Sequence, residues 1–357
     1  MIGELYNHTV VLAATCIIRD FISKAKSGDF TVLDVRSPKE FNQGHIHGAH
    51  NLPLLNDDER HIVGITYKEQ GQNAAVKKGF ELVGHKFSTY ITEASALSPS
   101  GKILIYCWRG GLRSNVMAWL LGLSGVDVTL LKGGYKSYRQ WCQEQFIAER
   151  NLLVLSGKTG TGKSDLLHLL QTQNNNNVLD LEMLADHKGS AFGGLGQATQ
   201  STQEQFENDL GWRLEELSAQ LIWVEDESRL IGRLRIPDSF FSRMQRSPIV
   251  EVERGKAARS ELILKDYGKF PKALLEEKTQ TLKKRMGGDR VKIALTCLES
   301  GDMQGWLDPL LDYYDRAYAH GLSLKSKQVI ATIDADKYDE GSLLKHLTEI
   351  SNVPLKK

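Results

Sequence analysis

The sequence predicts an α/β protein built as two successive parallel-sheet domains. Three observations carry this. Short apolar strands alternate with helical patterns up to about residue 140, a glycine-rich turn between a strand and a helix begins at Gly157, and 357 residues exceed the usual reach of one hydrophobic core.

Each element follows from its local pattern. "FTVLDVRS" (30–37), "GKILIYC" (101–107) and "VDVTLLKGG" (126–134) are β-rich runs, and 114–123 between the last two carries apolar residues at helical spacing. Residues 10–14 are a short apolar run that reads as a buried strand. Glu4 precedes it and no basic segment does, so a strand rather than a secretory signal is expected there. "SYRQWCQEQFIAER" (137–150) is polar and free of Gly and Pro, so a helical connection is expected there. The expected division is 1–136, a linker 137–150, and 151–357 with a helical C-terminal part from about Phe270. The second domain adds a strand and helix around 151–171, a polar loop at 174–177, and strands at 178–182, 219–228 and 329–335. A glycine-rich loop spans 186–199.

Composition bounds the function. An apolar fraction of 41%, a charged fraction of 25% and a net charge of +1 describe an ordinary globular chain, so any nucleic-acid surface has to be a local patch. The four cysteines, Cys16, Cys107, Cys142 and Cys297, form no C-x-x-C pair, which argues against a zinc site or a disulfide framework and fits a reducing cytoplasm. No stretch reaches the ~20 apolar residues that a bilayer span requires, so no membrane partner is expected.

"CWRGGLRS" (107–114) places a thiol at a strand end, before a glycine-rich turn and a helix. Such a turn aims backbone N–H groups and a helix N-terminus at one point, favouring a thiolate and an oxyanion beside it. Cys107 is therefore the candidate nucleophile, with Arg109, Gly110, Gly111 and Arg113 as the candidate anion cradle. The competing reading, a buried structural cysteine, does not call for two arginines and two glycines and suits Cys16, Cys142 and Cys297 better.

"GKTGTGKS" (157–164) satisfies G-x-x-x-x-G-K-[ST] between a strand and a helix. Gly157, Lys158, Thr159, Gly160, Thr161 and Gly162 would wrap a diphosphate-like group. Lys163 would reach its terminal charges, and Ser164 could hold Mg²⁺. Acids that could assist a metal are Glu225, Asp226 and Glu227 after "LIWV", or Asp180 after "VL"; either set could equally be a solvated strand end.

"DVRSPKEFNQGHIHGAHNLPL" (34–54) resembles the N-terminal half of a rhodanese-like domain, through Asp34, Arg36, Glu40, Gly44, His45 and Gly48. The resemblance implies that these residues shape turns and buried pairs, and that the cysteine closing a later strand, here Cys107, passes sulfur or selenium. Cys107 and Arg113 also stand in a C-x5-R spacing typical of cysteine phosphatases. The loop alone leaves chalcogen transfer and phosphate chemistry both open.

The order of a rhodanese-like domain and then a P-loop NTPase-like α/β domain is unusual. Together with "TYKEQGQNAAVKKG" (66–79), "DHKGSAFGG" (186–194) and "EDESRLIGRLRIP" (225–237), it resembles the bacterial tRNA 2-selenouridine synthases over nearly the whole chain. The resemblance implies action on the wobble 2-thiouridine of tRNAs for Lys, Glu and Gln. The sulfur is S-geranylated with geranyl diphosphate and then replaced by selenium from selenophosphate. In this scheme Cys107 carries selenium as a selenyl-sulfide or attacks in a related covalent step. No tightly bound cofactor is expected, Mg²⁺ is possible, and a supply of selenophosphate is needed.

A tRNA partner requires cationic surface. Arg229, Arg233 and Arg235 are the candidates, with Arg243, Arg246, Lys283, Lys284 and Arg285 nearby in sequence; ordinary solvated charge is the alternative. Two other functions fit parts of the pattern. One is an ATP-dependent tRNA sulfurtransferase, for which no S-G-G-x-D-S-type loop is present. The other is a nucleotide-binding regulator with a rhodanese module, which would have no need of the Cys107 loop.

Overall fold

A computed structural model describes residues 13–174, 177–217, 221–323, 325 and 328–351. The chain separates into two compact units, residues 1–145 with 207–212, and residues 146–206 with 213–357.

The first unit is a five-stranded sheet of β1 (Ala14–Cys16), β2 (Thr31–Asp34), β3 (His50–Asn51), β4 (Lys102–Tyr106) and β5 (Asp127–Leu131). The order is β1-β5-β4-β2-β3 and every pairing is parallel. β4 is central and buried from Ile103 to Tyr106, as befits a parallel strand covered on both faces. Ile103 and Ile105 pack with Leu33, Met117 and Leu121 in the core. The expected strand at 10–14 falls mainly outside the described residues, and the strand found, β1, is mostly exposed, with Ala14 and Thr15 open and Cys16 partly covered.

Segment 137–150 is helical as expected up to Ile147. It lies in a helix, Gly134–Ile147, whose Tyr135, Tyr138, Trp141 and Cys142 are buried. These positions recur at helical spacing of three and four, an apolar stripe obscured by the polar residues between them. Tyr135 stacks on Tyr106, and Tyr138 on Trp141, so the helix up to Gln145 packs into the core of the first unit.

The second unit holds β6 (Leu152–Ser156), β7 (Asn177–Leu179), β8 (Ile222–Glu225), a hairpin β9 (Leu230–Ile231) and β10 (Leu234–Arg235), β11 (Ile249–Glu253) and β12 (Val329–Asp334). The main sheet runs β12-β11-β6-β8-β7, again parallel throughout. β11 is a strand that the sequence pattern does not predict: its "IVEVE" alternates acids with apolar residues, yet it sits between β6 and β12. The expected strand at 178–182 stops at Leu179. Asp180 then caps a short helix, Leu181–Leu184, by accepting from the Met183 N–H at 2.8 Å. The polar loop expected at 174–177 lies partly outside the described residues. Beyond Pro271 the chain is mainly helical, around Trp306, Leu307 and Leu310. No helix among the described residues is long and apolar enough to cross a membrane.

Candidate active site

Cys107 follows β4 at the centre of its sheet and is 4% exposed. Its sulfur accepts the Gly111 N–H at 3.3 Å and lies 3.2 Å from the Ser114 hydroxyl. Gly111 is also the N-cap of the helix Leu112–Leu123, so the sulfur faces a helix N-terminus. The turn is tight for a steric reason. Gly110 has φ +65°, and a Cβ there would stand 2.7 Å from the Leu131 carbonyl oxygen. Gly134 presses from the other side, where a Cβ would collide with the Cys107 carbonyl oxygen. That close approach lets the Tyr135 N–H donate to the Cys107 carbonyl at 2.8 Å and the Lys136 N–H to that of Trp108 at 3.0 Å. The start of the Gly134–Ile147 helix thus clamps the cysteine loop, a role its sequence does not announce.

The two arginines of the loop have different surroundings. Arg109 is exposed. Arg113 is half-buried and donates to Glu40 at 2.6 and 3.3 Å. Burial pushes the Glu40 carboxyl up, but the hydrogen bonds and charge of Arg113 outweigh it and hold Glu40 below its ordinary value. Arg36 is fully buried, bonded to Asp34 and to the Gly44 carbonyl, and stacked 3.8 Å from the Tyr135 ring centre. His45 stacks on Phe41 at 3.9 Å.

In the second unit, β6 delivers the chain into the glycine-rich turn, and the helix Lys163–Asn174 leaves it. A Cβ on Gly157 would come 2.6 Å from the Val252 carbonyl oxygen of β11. Gly160, at φ +82°, has Ile263 and the Arg259 carbonyl in that space. Buried Thr161 donates to the Lys158 carbonyl at 2.9 Å, and Lys158 itself is exposed. Gly162 is the second loop glycine at φ +82°. Lys163 donates to the Gly157 carbonyl at 3.0 Å, with Glu225 3.9 Å away. Arg259, buried behind the loop, binds the Thr159 carbonyl at 3.0 Å and Asp315 at 2.9 and 2.7 Å. Sequence reasoning misses this brace, because Arg259 lies about a hundred residues from the loop that it holds.

Ser164 faces carboxylates on two elements, Glu182 at 3.2 Å and Glu225 at 3.3 Å. Glu182, Glu225 and Glu227 bring their oxygens within 4.8 Å of one another. Gly189 of the glycine-rich loop passes so close that a Cβ would stand 2.7 Å from Glu182 and 2.8 Å from Glu227. Burial, then the charges of Glu225 and Glu227, push Glu182 up to about 9; burial and Glu225 push Glu227 up to about 8. Glu225 is raised chiefly by burial. Hard oxygen donors crowded beside a phosphate-loop serine fit a divalent cation, whose charge would relieve this repulsion. Asp226 faces elsewhere, accepting from Ser156 at 2.6 Å and Lys325 at 2.7 Å. Glu182 is the acid that the sequence does not offer, because its pattern puts that residue within a strand.

Arg229, Arg233 and Arg235 come together on the β9–β10 hairpin, all exposed. Arg229 and Arg235 share Asp238, at 2.6 and 2.9 Å, while Arg233 donates to the Gln200 and Ser201 carbonyls. Three cations with one acid between them leave a positive patch.

Comparison with known proteins agrees with this architecture. The family model for the tRNA 2-selenouridine synthase AAA domain matches residues 150–342, and that for the rhodanese-like domain matches 19–140. The tRNA 2-selenouridine synthase of Marinobacter nauticus is 37% identical over 85% of this chain and 91% of its own length. That of Bordetella bronchiseptica is 36% identical over 86% and 92%. The Nitrosomonas europaea protein of the same name is 42% identical over 67% of this chain, a match spanning 64% of that relative. With both domains in this order and relatives alike over nine-tenths of their lengths, the chain belongs to the tRNA 2-selenouridine synthase family of enzymes.

Proposed function

We propose that this chain converts wobble 2-thiouridine to 2-selenouridine in the tRNAs for Lys, Glu and Gln, in the cytoplasm, using geranyl diphosphate and then selenophosphate. Two anion-handling loops support the reading, and the observation that carries it is the Cys107 sulfur held between the Gly111 N–H and the Ser114 hydroxyl in a chain of this family. In the first step the thiouridine sulfur attacks C1 of geranyl diphosphate, the C–O bond breaks, and diphosphate leaves. The glycine-rich loop and Lys163 would stabilise the charge growing on that leaving group. Ser164, Glu225 and Glu182 would hold Mg²⁺, which supplies further neutralisation of diphosphate charge when bound.

In the second step selenium replaces the geranylthio group at C2 of the base. Electron balance decides Cys107's part. Selenium enters from selenophosphate already as selenide, and a selenyl-sulfide on Cys107 would need a two-electron oxidant. Attack of the Cys107 thiolate on C2, expelling geranylthiolate, needs none. Selenophosphate selenium then displaces Cys107, and water cleaves the Se–P bond to release phosphate. Arg109 and the Gly110–Gly111 backbone would receive the selenophosphate oxyanion. Arg113 is the weaker partner, because Glu40 already engages it.

The test is mass spectrometry of wobble nucleosides after incubating 2-thiouridine tRNA with both donors. Wild type should yield 2-selenouridine, Cys107→Ser should stop at the geranylated base, and Lys163→Ala should leave 2-thiouridine largely unmodified. If wild type adds no geranyl group, or modifies the base only with ATP, the reading is wrong and an ATP-driven sulfurtransferase replaces it.

A further inference from the structure

Beside the cysteine loop the first unit contains a cavity of about 510 Å³, within the range of small-ligand sites, about 300–1,000 Å³. Its walls are the two halves of the helix Asp57–Val83, broken at Gly71 where φ is +85°, and the first turns of the helix Leu112–Leu123. Leu55, Val63, Phe80, Val83, Leu112 and Val116 make the lining apolar. Phe80 and Leu112 are exposed, so large apolar surface faces an open space. The charged groups in the lining are Arg60, Lys68 and Arg113, but Glu40 engages both arginines, at 3.7 and 2.6 Å, so exposed Lys68 is the cation left for an anionic partner.

Two glycines sharpen the picture. Gly64 and Gly79 line the cavity from helical backbone without positive φ, and a Cβ on either would meet nothing within 4 Å. Helix-interior glycine is destabilising relative to alanine, and neither backbone geometry nor packing requires it here. What these glycines provide is room. The cavity also adjoins the chemistry: Leu112, Arg113 and Val116 follow Gly111, the residue whose N–H meets the Cys107 sulfur at 3.3 Å.

We propose that this cavity receives the geranyl chain of the S-geranylated base while C2 of that base faces Cys107, with Lys68 at its rim near the flanking RNA phosphates. The proposal rests on the two-step reading above and assigns the prenyl pocket to the cysteine unit. The cavity then recognises the leaving group of the second step. A base that still carries plain sulfur offers nothing to fill it, so selenation is confined to geranylated substrate.

The experiment uses the full-length chain, selenophosphate, and anticodon stem-loop RNAs carrying S-geranyl- or S-methyl-2-thiouridine. Gly79→Leu, and independently Gly64→Leu, fill the cavity with a good helix former. Each should lower the ratio of kcat/KM for geranyl over methyl substrate by about tenfold or more. An unchanged ratio in both variants overturns the proposal. In parallel, RNA bearing a diazirine-tipped geranylthio group is photolysed with wild type. Label within 57–83 or 112–116 that is lost in Gly79→Leu supports the cavity even if wild type performs no selenation, in which case the two-step reading fails by itself. Label confined to other segments overturns the cavity whatever the turnover.

Discussion

Cys107 and Cys142 show how position decides what a thiol can do. Burial pushes Cys142 up to about 12, and the nearby Arg139 cation offsets this only in part, so at neutral pH Cys142 is an inert thiol in the core. Cys107 is nearly as covered, but its sulfur sits where an N–H and a hydroxyl converge. The Glu40–Arg113 pair beside it is a second local device with a measurable signature. Each partner is about one-fifth exposed or less, and Glu40→Gln leaves the Arg113 guanidinium without its counter-charge. The variant should lose about 1–3 kcal/mol of unfolding free energy near neutral pH. Because the folded-state value of Glu40 is depressed, its contribution is present above the ordinary carboxylate value and lost as pH falls through the folded one. Urea titrations at about pH 7 and about pH 3 should therefore show the difference between wild type and variant shrinking in acid. A difference that grows in acid would contradict the assigned pairing.

At the scale of elements, remote segments brace both loops. Arg259 ties the Thr159 carbonyl to Asp315, with the guanidinium buried. Replacing it by methionine keeps apolar packing but strands Asp315 and frees the loop. The expected cost is about 2–4 kcal/mol, below the full range for a buried pair because Asp315 is partly exposed. Inorganic diphosphate should also bind about tenfold more weakly, equivalent to about 1.4 kcal/mol. Calorimetric titration with diphosphate checks this, and undiminished binding would show that the loop holds its shape unaided. The same elements show what is legible in the sequence. Strands β2, β4, β5, β6 and β8 can be read from their apolar runs, and both loops from glycine spacing, since each signal is local. β11 is hidden because alternating acids look like an exposed strand or loop. Glu182 is hidden because a four-residue helix after β7 turns it toward Ser164. Arg259 and the Gly134–Tyr135 clamp depend on pairings between distant residues, which no periodicity records.

At the scale of the whole molecule, a net charge of +1 gives no general attraction to RNA, so tRNA affinity has to come from local cationic surface. The β9–β10 hairpin offers Arg229, Arg233 and Arg235 against the single acid Asp238. These pairs are exposed and contribute little to stability, so removing them should leave the melting temperature nearly unchanged. RNA binding should respond differently. Each phosphate that a cation neutralises releases condensed counterions, so the slope of log K against log salt changes by roughly 0.7–0.9 for every phosphate left without its arginine. The Arg229→Ala, Arg235→Ala double variant should therefore bind tRNA more weakly between about 50 and 200 mM salt, with a slope shallower by about one to two. Asp238→Asn should move affinity the other way, because it frees both guanidinium groups from their shared carboxylate. Filter binding across that salt range measures both. A double variant with the wild-type slope would remove the hairpin from the RNA-binding surface and leave Lys283, Lys284 and Arg285, all exposed on a short helix, as the next cations to test.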